Sequence, residues 1–266
     1  LSHPNTVTIF DYGRTPDDIF YYAMELLEGA DLAVLVRASG AQPPARVAHI
    51  LERVADALAE AHGIGLIHRD IKPSNIVLCS RGGKLDVPKV VDFGLVRQLG
   101  DAAEMGLTGE GSILGTPLYL APESIRGGGA VDGRADLYAL GAVGYYLLTG
   151  SHLFGGSQLL EICWKHLETP PEPPSERLGR PVPAALEQVL LDCLEKDPDK
   201  RPQTAADLRD RLRACVASLG PWGQVQAEEW WARNQQASPA LQGSELEDSE
   251  ERETQVGTIV VQRRSD

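Results

Sequence analysis

Apolar and polar residues alternate over positions 6–13, and a second strand-like run occupies 19–24 after a turn at 14–18. This pattern predicts a short β-hairpin. Two strands alone are marginal in water, so the hairpin needs further structure around it. After Gly29 the period changes. Val47, Ile50, Leu51, Val54, Leu58 and His62 recur at helical spacing behind Pro43 and Pro44, which predicts a long amphipathic helix ending at Gly63 or Gly65. Short strand-like pieces follow at 65–67, 76–79 and 89–91. The Gly- and Thr-rich stretch 94–115 is too long for a routine connection and reads as either functional or disordered. Positions 135–148 are almost wholly apolar, the mark of a helix buried on all sides. Amphipathic helices are predicted over 157–167, 184–195 and 204–216, separated by Pro-rich loops at 169–174 and 181–183. Thr204 with Asp207 forms an acidic variant of the capping box.

Composition narrows the field. The 266 residues suffice for one large domain or two modest ones, and 42% hydrophobic with 24% charged residues is ordinary for a soluble globular protein. A formal net charge of −13 argues against an electrostatic grip on nucleic acid or an anionic membrane. No apolar run reaches the ~18 residues that span a bilayer. Cys79, Cys163, Cys193 and Cys215 have no metal-ligand spacing and read as reduced thiols in a cytoplasmic setting.

Three polar blocks carry candidate chemistry. The first, His68-Arg69-Asp70-Ile71-Lys72-Pro73-Ser74-Asn75, sits between strand-like segments, where loops expose polar groups. Its spacing puts a carboxylate, Asp70, and an amide, Asn75, on one loop. The carboxylate can accept a proton from an attacking hydroxyl and the amide oxygen can hold a metal ion. Lys72 supplies a point charge for a transferring phosphoryl group. In the second block, Asp92-Phe93-Gly94, a strand-end carboxylate can reach a bound cation. The third is Gly115-Thr116-Pro117-Leu118-Tyr119-Leu120-Ala121-Pro122-Glu123. Alone, the first also reads as a capped polar loop and the second as a strand-ending turn. In this order they match the protein-kinase signature set.

On these blocks the chain resembles a eukaryotic-like protein serine/threonine kinase of the bacterial group, from Leu1 to about Val216. The resemblance implies an α+β, protein-kinase-like fold: a mostly helical C-lobe with a remnant of the β-rich N-lobe, and ATP in the cleft between lobes. It implies Asp70 as catalytic base, Lys72 as the γ-phosphate contact, and Asn75 and Asp92 as Mg²⁺ ligands. The form Asp-Ile-Lys-Pro-Ser-Asn implies Ser/Thr specificity. Met24 is similar to the hinge gatekeeper, with the Glu25 and Leu27 backbone at the adenine edge, Asp31 at the ribose and Val77 in the adenine floor. Glu123 and Arg201 suit an ion pair that anchors the activation segment; breaking a buried pair costs ~3–5 kcal/mol. Asp136 resembles the residue that braces the catalytic-loop backbone. Arg69 implies control by activation-loop phosphorylation. Thr108 and Ser112 are the expected acceptors, and Thr116 is similar to the threonine that touches the catalytic Asp and Lys.

The same pattern includes a Gly-rich loop and a strand lysine paired to a helix glutamate, and neither is found. The expectation is therefore an N-terminally truncated chain that by itself transfers phosphate poorly. A pseudokinase or signalling scaffold is the alternative. A small-molecule kinase of the aminoglycoside phosphotransferase type is disfavoured by Glu123, Arg201 and the Gly-Thr-Pro-Leu-Tyr block. The expected layout is an N-lobe remnant with hinge over 1–28, the C-lobe over 29–218, and an acidic, largely disordered tail over 219–266. Within that tail, Trp222, Trp230 and Trp231 are candidates to dock on the domain. Thr254 is a candidate phosphothreonine for a reader module, against the plainer reading of a solubilising tail. Protein Ser/Thr hydroxyls are the expected substrate.

Overall fold

The computed structural model describes residues 1–15, 20–93, 117–127, 131–220 and 222–235. The hairpin forms as β1 (Ile9–Arg14) and β2 (Phe20–Met24), paired antiparallel. A second antiparallel sheet has the order β3-β4-β5, from Gly29–Asp31, Ile76–Arg81 and Lys84–Val90. The N-terminal segment is stitched to it: Val7 N donates to Val90 O (3.0 Å) and Val90 N to Asn5 O (2.8 Å).

Helices make up the rest: α1 (Leu32–Ser39), α2 (Pro44–Gly63), α3 (Pro122–Arg126), α4 (Arg134–Thr149), α5 (Leu159–Glu168), α6 (Pro174–Leu178), α7 (Ala184–Cys193), α8 (Ala205–Leu219) and α9 (Gln224–Gln235). The long helix α2 and the four helices α4, α5, α7 and α8 stand where the hydrophobic periods put them. Thr204 caps α8 by accepting from Asp207 N at 3.0 Å. Every residue of α4 from Ala135 to Thr149 is buried, so this helix is the axis of the domain. Its glycines allow close packing. A Cβ on Gly144 would come within 2.5 Å of Leu190 on α7 and 2.7 Å of Leu51 on α2. Each large apolar side chain buried in that core contributes ~1.5–3 kcal/mol.

Two expectations are corrected and a third is refined. Positions 65–67 are not a strand. Gly65 takes φ 78° and Leu66 N returns to Ala61 O at 2.9 Å, so the segment is the terminating turn of α2. The Pro-rich loop at 169–174 leads straight into α6, with Pro174 at its first turn. Within the stretch expected to be a largely disordered tail, α9 follows α8 and carries Trp230 and Trp231, two of the docking candidates; residues 236–266, including Thr254, lie outside the described ones. The thiols of Cys79, Cys193 and Cys215 are buried and all four cysteines are unpaired.

One buried titratable group predicts acid sensitivity. His166 on α5 is fully buried, with its Nδ1 accepting from the Tyr138 hydroxyl at 2.8 Å. Burial, with Lys196 nearby, pushes its pKa down to about 4 against a smaller opposing pull from the Leu118 backbone. Between about pH 6.5 and 4 the unfolded chain therefore binds a proton that the fold refuses. Stability falls as pH drops through that window and levels off, for this group, below it. In thermal melts the wild-type chain should lose more stability from pH 6.5 to 4 than His166→Gln does; parallel curves would contradict the assignment.

Candidate active site

The catalytic-loop candidate runs from the end of α2 to β4. Its shape is set by one buried carboxylate on α4. Asp136 Oδ2 accepts from His68 N at 2.8 Å and Oδ1 from Arg69 N at 2.7 Å, and His62 Nε2 donates to Oδ2 at 2.8 Å. Arg69 is thereby held at φ 68°, a left-handed conformation unfavourable for a residue with a side chain. The buried His68 ring braces the same turn. Its Nδ1 accepts from Asp70 N (3.2 Å), so its Nε2 carries the proton and donates to Val91 O (2.9 Å). Phe93 packs on that ring with centroids 4.6 Å apart.

This scaffold presents Asp70 to solvent. Lys72 Nζ lies 2.8 Å from Asp70 Oδ2, and the side chain of Asp70 is 51% exposed. Asn75, buried in a 3₁₀ turn over Pro73–Asn75, spends both amide hydrogens on Asp70: Nδ2 donates to the main-chain oxygen at 2.8 Å and to Oδ2 at 2.9 Å. That leaves the Asn75 amide oxygen as an acceptor. Val91 N donates to Asn75 O at 3.0 Å, which brings the end of β5 alongside. Asp92 follows at φ 59°, half-buried, with Oδ1 accepting from the Tyr22 hydroxyl at 3.2 Å. Asn75 and Asp92 are thus neighbouring oxygen donors of the hard type that Mg²⁺ prefers, so the residues present fit that ion.

Behind them, Met24, Leu27 and Val77 join Val7, Tyr22 and Val91 in one small apolar cluster. Glu25 N donates to Thr8 O at 2.9 Å. Among the described residues, no backbone hydrogen bond occupies the Glu25 carbonyl or the Leu27 N–H. The Glu25 side chain turns away: it accepts from Lys89 Nζ (2.7 Å), Thr8 N (2.9 Å) and Arg81. Asp31 is partly committed elsewhere, because its Oδ1 caps α1 by accepting from Val34 N at 2.7 Å. Burial raises its pKa although that N–H favours the charged form.

Further off, Arg201 grips Glu123 with two parallel bonds, 2.7 and 2.8 Å, and also donates to the carbonyls of Glu195, Arg134 and Lys196. The structure therefore brings together Asp70, Lys72, Asn75 and Asp92, and separately Met24, Leu27 and Val77. Arg69 is exposed at the loop's edge. Thr108, Ser112, Thr116 and Gly94 lie outside the described residues. Sequence reasoning assigned no role to Tyr22, His62, His68 or Lys89. Nothing in their local pattern names partners that lie far away along the chain.

A helical body built on α4, with a polar loop beside a three-stranded sheet and an ion pair tying α3 to the 195–201 segment, defines the larger lobe of a protein-kinase fold. Comparison with known proteins agrees. Residues 1–211 match the family described as protein kinase domain, and the chain belongs to that family. It is 44% identical over 220 residues to serine/threonine-protein kinase Pkn1 of Myxococcus xanthus, covering 82% of this chain and 30% of that protein. It is 40% identical over 216 residues to serine/threonine-protein kinase PrkC of Bacillus subtilis, covering 81% and 32%. Among solved structures, Rad53 1–466 in complex with AMP-PNP matches with a TM-score of 0.65 at 26% identity, over 79% of this chain and 51% of that one. The Mycobacterium tuberculosis PknI kinase domain matches at 0.59 with 30% identity, over 80% and 72%. The chain spans about a third of the length of the curated relatives it matches.

Proposed function

We propose that this chain is the catalytic-lobe portion of an ATP- and Mg²⁺-dependent protein serine/threonine kinase acting in the cytoplasm. The observation that carries this is the hydrogen-bonded convergence of Asp70, Lys72 and Asn75 on one loop, with Asp92 at the end of the adjoining strand. When bound, ATP with Mg²⁺ supplies the phosphoryl group and neutralises the charge that develops on it. The protein's part is positional and electrostatic. Asp70 accepts the proton of the incoming Ser or Thr hydroxyl, and Asn75 fixes its orientation through Oδ2. Lys72, within ion-pair reach of Asp70, offsets negative charge where the phosphoryl group passes. Asn75 Oδ1 and Asp92 are the metal-holding oxygens. Met24, Leu27 and Val77 form the apolar wall for a purine, with the Glu25 carbonyl and Leu27 N–H as its polar edge and Asp31 toward the sugar. Thr108 and Ser112 are proposed phosphoacceptors whose phosphates pair with Arg69, and Thr116 a contact of Asp70 and Lys72.

The test uses the whole gene product that contains this sequence, incubated with γ-labelled ATP, Mg²⁺ and a protein acceptor. Label should appear on serine and threonine. Asp92→Asn should lower transfer roughly 10²–10³-fold, the size of losing one preorganised electrostatic stabiliser. Label confined to tyrosine, or an undiminished rate in Asp92→Asn, would overturn the reading.

A further inference from the structure

The family match ends at residue 211, yet the described fold continues through α9. That continuation lands on a buried ion pair remote from the candidate active site. Arg46 on α2 and Asp86 on β5 are 0% and 2% exposed. Arg46 Nε donates to Asp86 Oδ2 at 2.8 Å and Nη2 to Oδ1 at 2.7 Å, while Nη1 donates to Gln42 Oε1 at 2.8 Å. The other two bonds to the carboxylate come from beyond the family match. Trp222 Nε1 donates to Oδ2 at 2.7 Å and Trp231 Nε1 to Oδ1 at 2.6 Å. Trp230 lies over the guanidinium with its ring centroid 3.7 Å from the central carbon, and Trp222 and Trp231 flank it at 5.4 and 5.5 Å.

A buried ion pair offsets its desolvation only if the remaining lone pairs and donors are also satisfied. Here two indole N–H groups complete the carboxylate and three aromatic rings cover the cation. The segment also grips the hairpin that carries Asp86. Gln224 Nε2 donates to Gly83 O at 2.9 Å and accepts at Oε1 from Leu85 N at 3.1 Å. From this anchored end, β5 runs through Lys89, paired to Glu25, to Val90, and Val91 and Asp92 follow directly.

We propose that residues 222–235 are an intramolecular clasp that belongs to the folded module. Its three tryptophans close the Arg46–Asp86 pair and hold β5, and with it the seat of Asp92, from the far side of the domain. Only the significance of Asp92 rests on the kinase reading; the clasp itself is a statement about this chain's packing.

Hydrogen exchange by mass spectrometry on the full 266-residue chain tests it without reference to activity. In the wild type, amides of α9 should be protected to the level of β5. In Trp230→Leu/Trp231→Phe, exchange across 84–93 and 224–235 should rise together. The rise should be roughly thirtyfold or more, the size of losing one cation–π contact and one charge-assisted hydrogen bond. The amides of α4 should not change. Free exchange of α9 in the wild type, or loosening of α9 with β5 unmoved, would overturn the clasp. If α4 also loses protection in the double variant, Gln224→Ala serves in its place, since it removes the two hairpin bonds and, besides them, one exposed bond to Glu228 within α9. A smaller joint rise over 83–93 and 224–235 is then expected, and no change in either would overturn the proposal.

Discussion

Glu123→Ala should lower the chain's unfolding free energy by about 3–5 kcal/mol, enough to shift the folding constant by roughly two to four orders of magnitude. The reason is an asymmetry between the partners. The Arg201 side chain is fully buried, while that of Glu123 retains 21% exposure. Deleting the glutamate strands a guanidinium that cannot reach water. Three carbonyls still accept from it, at 2.8, 3.0 and 3.2 Å, and Tyr138 lies against it at 4.9 Å, but none carries a neutralising charge. Glu123→Gln keeps the acceptor oxygen without the charge and should fall between wild type and alanine. Urea denaturation of the three proteins checks the order, and equal midpoints would contradict it. The pair ties α3 to the segment before α8, so the variant should also loosen the 117–127 region.

Asp136→Ala is the second large effect. It removes the acceptor for two backbone donors, His68 N and Arg69 N, in a site where Asp136 is 1% exposed. A stranded buried donor costs ~1–3 kcal/mol, so the loss should be ~2–6 kcal/mol. The backbone at Arg69 also loses what holds it at φ 68°, and an unsupported left-handed residue relaxes. Asp70 is the next residue, so the damage is not only to stability. In the whole gene product, phosphotransfer should fall with kcat more affected than the KM for ATP, because the 68–75 loop is misplaced while the Met24–Leu27 segment proposed to hold the purine is not. Asp136→Asn keeps one acceptor and should recover part of both losses. Unchanged chemical shifts for residues 68–70 in Asp136→Ala would contradict the bracing role.

Much of this was legible in the sequence because it is local. The pairing of Asp70 with Asn75 follows from a five-residue spacing on one loop, and the burial of α4 from an unbroken apolar run. The family resemblance carried Glu123–Arg201 and Asp136 across long separations. What escaped was long-range and polar. Lys89 sits in an apolar strand, and nothing nearby names Glu25, 64 positions away, as the carboxylate that lets it be buried. The post-domain tryptophans were visible as candidates to dock, but their partners were not. Asp86 stands in a surface-like hairpin, and its indole donors lie 136 and 145 residues downstream. β3 and α1 were missed for a different reason. A three-residue strand has no period to read, and Asp31, expected at a ribose, is also the cap that starts the helix.

The most direct measurement compares the full-length protein with its Asp70→Asn variant in single-turnover transfer from ATP to a Ser/Thr acceptor. Asn75 and Lys72 still position the replaced side chain, but the amide cannot take a proton. The account predicts a ~10²–10⁴-fold loss in the rate of transfer, the range of a general base, with ATP affinity unchanged. Transfer by Asp70→Asn at the wild-type rate would contradict it.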